Sequence, residues 1–168
     1  MDFIFEHSTK INLNKNNMIG ITLLRHKDGA PLFRTLGLGP NLMPVNAVKQ
    51  LKKLLDRNSF WAIKRTKKEL KKMMKKSSSI VTLWNENKLI GFGRATSDWI
   101  YRATLWDIVI DEKYQKFGLG KIVVTSLLKS KAVANVEKVY LMTTNKKEFY
   151  LNCGFEEVSN QDLLLKIK

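Results

Sequence analysis

The segment Gln115-Lys116-Phe117-Gly118-Leu119-Gly120-Lys121 lies between an apolar run, Trp106-Asp107-Ile108-Val109-Ile110, and a stretch of helical spacing from Leu119 to Leu128. A buried strand feeding a glycine turn at a helix start is a phosphate site in physical terms. First-turn N–H groups have no partners inside the helix, and the macrodipole adds positive potential there. Gly118 and Gly120 let the backbone close on an anion without a Cβ in the way, and Lys116 and Lys121 add charge. A P-loop would need glycine where Gln115 stands and Ser or Thr where Ile122 stands. A dinucleotide-binding turn would need a third glycine in place of Val123. Both fail, which leaves a phosphate-bearing ligand of another kind.

A second segment follows at Phe149-Tyr150-Leu151-Asn152-Cys153-Gly154-Phe155, after the short apolar run Val139-Tyr140-Leu141-Met142. The pair of motifs, Gln-x-x-Gly-x-Gly after a central strand and a tyrosine four residues before Gly-Phe, resembles the GNAT superfamily of N-acetyltransferases. Leu89 to Asp98 and Ala103 to Ile110 are similar to its cyanobacterial and plastid branch, which includes the plant serotonin N-acetyltransferase-like proteins. The resemblance covers about residues 45 to 158 and is strongest from 89 to 121.

That resemblance implies acetyl-CoA as cosubstrate and no metal. The loop Gln115, Lys116, Phe117, Gly118, Leu119, Gly120 and Lys121 would cradle the pyrophosphate, and Ile108, Val109 and Ile110 would face the pantetheine arm. Thr143 and Asn145 would contribute further cofactor contacts. Tyr150 would be the general acid, since a phenol of pKa about 10 can protonate a departing thiolate. The alternative for Tyr150 is a core tyrosine on an amphipathic helix. Thr143 replaces the Asn or acid usual seven residues before the tyrosine and is no base, so removal of the amine proton falls to Asp107 or to a water chain. Asp107 precedes the cofactor strand, where a bulge could turn it inward; the alternative is a structural carboxylate. Cys153 sits in an apolar spacer without a histidine near it in sequence and is expected to pack rather than to act as nucleophile. Of Trp84, Trp99 and Trp106, the first and last suit a sheet core, and Trp99, in a turn, is the best placed for an aromatic amine.

The elements that must hold these residues are legible from spacing. Val45, Val48, Leu51, Leu54 and Leu55 predict a helix ending near Asn58. Thr66 with Glu69 is a capping-box signature for a helix turning Leu70, Met73 and Met74 inward and its lysines to solvent. Ile80 to Trp84, a turn at Asn85-Glu86-Asn87, and Lys88 to Thr96 predict a hairpin, with Tyr101 to Ile110 as the next, central strand. A short strand at Val139 to Met142, a short helix at Asn145 to Asn152 and a last strand at Asp162 to Ile167 complete the order. The order gives a mixed sheet with helices on its faces, and the resemblance implies an α+β (mixed α/β) GNAT fold, with a central mixed, mostly antiparallel sheet flanked by helices. Residues 44 to 168 are read as the acetyltransferase domain and residues 1 to 43 as an N-terminal segment with a first strand at Met18 to Arg25 and turns.

Composition bounds the function. The apolar fraction of 44% suits a globular chain, and no run approaches the ~20 apolar residues of a bilayer span. The opening residues, MDFIFEHSTK, do not read as a signal peptide, and one cysteine makes no internal disulfide. The expected setting is reduced and intracellular: cytoplasmic, or the plastid stroma for a plastid-encoded chain. His7 and His26 have no metal-site spacing. A net charge of +15, with six arginines among thirty basic residues and near-consecutive Asn12, Asn14, Asn16 and Asn17, fits AT-rich coding bias as well as attraction to a polyanion. The expected partner is a small-molecule amine or a peptide or protein amine, with no membrane partner, nucleic acid disfavoured and a homodimer left open. A protein lysine or N-terminal acetyltransferase stays the close alternative to an arylalkylamine enzyme. A basic nucleic-acid-binding module on the same scaffold is the alternative of another class.

Overall fold

The computed structural model describes residues 5–13 and 18–167. Asn14, Asn16 and Asn17 of the asparagine-rich stretch lie outside the described residues, as do the first four residues of the expected N-terminal segment. Six strands form one sheet in sequence order: β1 (Phe5–Leu13), β2 (Met18–His26), β3 (Ser79–Asn85), β4 (Lys88–Ser97), β5 (Arg102–Ile110) and β6 (Lys138–Tyr140). Neighbours pair antiparallel from β1 through β5, and β6 joins β5 in parallel. The mixed, mostly antiparallel sheet that the resemblance implies is the one present.

Alternation along the strands divides the core into two layers. Ile80, Trp84 and Phe92 point to the face covered by α1 (Ala47–Asn58) and α2 (Lys67–Lys75), against Leu51, Leu55, Leu70 and Met74. Val81, Leu83, Ile90 and Leu105 point to the other face, against Val123, Val124 and Leu127 of α3 (Leu119–Leu128). Thr66 caps α2 as its spacing announces: its hydroxyl accepts from the Glu69 N–H while the Glu69 carboxylate accepts from the Thr66 N–H. Burial of both helix faces on one sheet fixes the ends of β4 and β5, where the candidate chemistry lies.

Three expectations near the C-terminus are corrected. The strand expected at Val139 to Met142 is Lys138–Tyr140, and the helix expected at Asn145 to Asn152 is the five-residue α4 (Lys147–Leu151). The last strand expected at Asp162 to Ile167 does not form: residues 155–167 carry no helix or strand, and Leu163, Leu164 and Leu165 are 76%, 90% and 84% exposed. Three residues of β6, already paired on one side with β5, offer that segment little ladder to join.

Candidate active site

β5 and β6 pair only through Arg102↔Lys138, Ala103↔Val139 and Thr104↔Tyr140. Beyond Thr104 they part, so the β6-facing edge of β5 is open from Leu105 onward. On its other side β5 carries a bulge. Phe92 faces Val109 and Arg94 faces Trp106, so Asp107 and Ile108 together oppose one residue of β4, and Asp107 takes a φ of 52°. The combination of a splayed strand pair and a bulge at its apex makes a cleft with one unpaired backbone edge.

The glycine turn closes the far end of that cleft. Gly118 is the N-cap of α3 with a φ of 76°, no side-chain cap and no acid in the first turn. A Cβ built on Gly118 meets nothing within 4 Å, so the space beside it is open. Among the described residues, the N–H groups of residues 116–121 find no hydrogen-bond acceptor. Lys116, at φ 66°, helps turn this run of donors into one concavity. Gln115 holds the loop rather than the ligand: its side-chain amide donates to the Ile110 carbonyl at 2.9 Å. The freedom expected of Gly120 has a different use, since a Cβ there would lie 3.1 Å from the Phe149 ring of α4. Gly120 thus lets α4 dock on the start of α3. Val109 is buried among Phe92 and the α1 face, and Ile110 is buried on the α3 side. What these residues present to the cleft is backbone.

At the apex, Tyr150 of α4 and Trp106 of β5 line a cavity of about 640 Å³ together with Thr104, Tyr140, Thr143 and Phe155. Tyr150 is half-buried between Phe149 and Phe155, whose ring centroids lie 4.9 Å and 6.1 Å from its own. Burial, and secondarily Cys153, pushes its phenol above the usual value, so it keeps its proton at neutral pH. Burial also pushes the Cys153 thiol up, with Lys121 opposing, which suits a packed thiol and not a nucleophile. Thr143 is exposed at the cavity and its hydroxyl accepts from the Lys146 N–H at 3.2 Å, while Asn145 is exposed outside the cavity.

Asp107 is where the sequence reading and the geometry part. Its side chain is 4% exposed, and each oxygen is engaged by a guanidinium: Arg65 Nη1 at 3.0 Å and Arg94 Nε at 2.7 Å. A carboxylate held in this way ties the α1–α2 loop and β4 to the bulge. Arg94 also lies over the Trp106 ring, 5.6 Å from its centroid. Arg65 was not singled out from sequence; nothing local marks a residue whose partner is 42 positions away. The tryptophans exchange roles. Trp84 is buried as expected, but Trp106 lines the cavity and Trp99 sits at the exposed tip of the β4–β5 hairpin, at the opposite end of the sheet from Gly118.

The chain is similar to proteins of one family in sequence and in fold. The model of the acetyltransferase (GNAT) family matches residues 48–155. An uncharacterized N-acetyltransferase ycf52 of Porphyra purpurea is 38% identical over 111 residues, 63% of this chain, and the match spans 63% of that protein's length. Its namesake in Gracilaria tenuistipitata var. liui is 31% identical over 163 residues, 90% of this chain and 87% of its own. Among solved structures, a GNAT-family acetyltransferase of Streptococcus pneumoniae shares the fold with a TM-score of 0.64 at 18% identity, covering 88% of this chain and 98% of that one.

Proposed function

The chain belongs to the acetyltransferase (GNAT) family, and from that premise we propose that it transfers acetyl from acetyl-CoA to a primary amine by direct attack within a ternary complex. The observation that carries this is the run of unpartnered N–H groups at residues 116–121, opening onto the splay between β5 and β6. Those donors and the α3 N-terminus fit a pyrophosphate, and the free edge of β5 fits an amide-bearing arm that can pair like a strand. Acetyl-CoA bound there supplies an activated acyl group as a thioester. Tyr150 donates its proton to the leaving sulfur, and its raised pKa keeps that proton in place at neutral pH. Asp107 orients the apex through Arg65 and Arg94 instead of serving as base, which leaves a water chain to carry off the amine proton.

The proposed acceptor is an arylalkylamine, of which serotonin is the example suggested by branch resemblance. Aromatic lining from Trp106, Tyr140 and Phe155, with Glu156 and Asp162 also bordering the cavity, suits a flat, cationic amine. A protein lysine or N-terminal amine is the second reading, favoured by the exposed side of the same cavity formed by residues 156–158 and 161–163. Acetyl transfer in the plastid stroma or cytoplasm agrees with the described residues, in which no helix is long and apolar enough to cross a membrane. An acceptor screen that follows free thiol release tests the proposal. Release with tryptamine-type amines is expected, release with lysine peptides alone would move the acceptor to protein, and no release with any amine would overturn the transfer itself.

A further inference from the structure

At the end of the sheet away from the glycine turn, three consecutive large side chains stand in solvent: Trp99, Ile100 and Tyr101 are 47%, 62% and 60% exposed. They form the tip of the β4–β5 hairpin, and the tip is well organised. The Asp98 carboxylate accepts from the N–H groups of Ile100, Tyr101 and Arg102 at 2.8 to 2.9 Å, and the Ser97 hydroxyl accepts from the Trp99 N–H at 2.8 Å. An apolar tip built on such a scaffold is preorganised, and side chains of this size are seldom left together in water without a partner.

What surrounds the tip says which partner. Strand directions bring the end of β4 together with the starts of β3, β5 and β6 at this end of the sheet. The C-terminus of α2 arrives there through the Ser78 N–H, which donates to the Ala95 carbonyl at 2.9 Å, and carries exposed Lys75 and Lys76. The segment after α3 arrives there as well, with exposed Lys129 and Lys131, since the Glu137 N–H donates to the Ile100 carbonyl at 3.3 Å. Lys138 follows directly, its N–H donating to the Tyr101 carbonyl at 3.0 Å. Of the acids at this end of the sheet, Asp98 is occupied by its backbone donors, Glu137 is paired with Arg102 at 3.1 Å, and Glu6, which accepts the Lys131 N–H, is paired with Arg25 at 3.0 Å; exposed Asp28, in the turn that packs on Lys75, offsets one of the lysine charges. The five lysines have no ion-pair partner among the described residues.

We propose that this end of the molecule docks peripherally on an anionic lipid surface, with Trp99, Ile100 and Tyr101 entering the headgroup layer and Lys75, Lys76, Lys129, Lys131 and Lys138 meeting lipid phosphates. Tryptophan and tyrosine favour that layer because they combine an apolar body with a polar tip. Lysine strengthens the attachment only where the surface is negative. No single stretch of sequence announces the site, because its lysines come from three separated segments and its apolar part from a fourth. Docking here leaves the Gly118 turn facing away from the lipid, so the cofactor cleft stays open to solution.

Co-sedimentation with vesicles of phosphatidylcholine alone, and of phosphatidylcholine mixed with phosphatidylglycerol, tests this with the full chain. The expected result is binding to the mixed vesicles only, weakened roughly fivefold for each lysine changed to glutamine. The double variant Trp99→Ser/Ile100→Ser should lose at least about tenfold in affinity with its melting temperature and acetyl-CoA affinity unchanged. Failure to bind mixed vesicles would overturn the proposal, as would full binding by the serine variant, which would reduce the attachment to charge alone. A wild-type dimer that the serine variant dissolves, without vesicle binding, would reassign the tip to a second copy of the chain.

Discussion

Tyr150 and Asp107 were the two side chains with a catalytic role in prospect, and their surroundings separate them. Tyr150 keeps its ring between Phe149 and Phe155 with the phenol on the cavity, so Tyr150→Phe should preserve packing while removing the proton donor. Loss of a general acid typically costs ~10²–10⁴ in rate, and kcat should fall by that order with acetyl-CoA affinity nearly intact. The phenol must be protonated to act, and its pKa is raised, so wild-type kcat should decline only at alkaline pH, above about 10. An alkaline decline that persists in the phenylalanine variant would assign that limb to another group. Asp107→Asn makes the opposite kind of prediction. Breaking a buried, doubly paired carboxylate costs about 3–5 kcal/mol, so melting temperature and activity should fall together at every pH. A stable variant rescued by raising pH would restore the base role.

At the scale of elements, the positions the sequence made legible are those with a strong local period or a strong local cap. α1, α2, the β3–β4 hairpin and β5 all bury one face against a neighbour, and their alternation or helical spacing shows it directly. β1 has no such signature: FEHSTKINL is an edge strand held largely by backbone pairing to β2, with residues 7–10 exposed. The expected final strand failed for the converse reason, an apolar segment with no ladder beside it. The glycine turn was legible because its residues are contiguous. The Arg65–Asp107–Arg94 cluster was not, because it exists only once the α1–α2 loop folds across β5. β2 carries a testable feature of its own. His26 is buried between Phe5 and Phe33, its ring Nε2 lies 2.8 Å from the Thr82 hydroxyl, and burial lowers its pKa to about 3. The unfolded chain therefore takes up a proton that the folded chain refuses between pH 6.5 and about 3. Stability should drop by up to about 1.4 kcal/mol per pH unit in that window. Urea unfolding of wild type and His26→Gln at pH 7 and pH 5 should show the wild type losing more; equal losses would place the pH sensitivity elsewhere.

Over the whole molecule, the two halves of the candidate site differ in how firmly they are held. β5 and the start of α3 belong to the central sheet and its packed helix, whereas β6 has three residues and α4 five, at the sheet's edge. A ligand lying between β5 and β6 and reaching the α3 N-terminus would tie the edge to the centre, and binding to the folded state alone raises stability in proportion to the logarithm of ligand concentration. Tyr150 rides on that edge, so cofactor binding and placement of the acid are expected to be one event. All of this depends on the glycine turn being the place where acetyl-CoA is held. At φ 76°, Gly118 occupies backbone that valine adopts only with strain, and its open side is where a phosphate would lie. The most direct test is calorimetric titration of acetyl-CoA into wild type and Gly118→Val, with a thermal melt of each to establish folding. The predicted result is binding by the wild type and a loss of at least about tenfold in affinity for a variant that still melts cooperatively; equal affinity in a folded Gly118→Val would contradict the account.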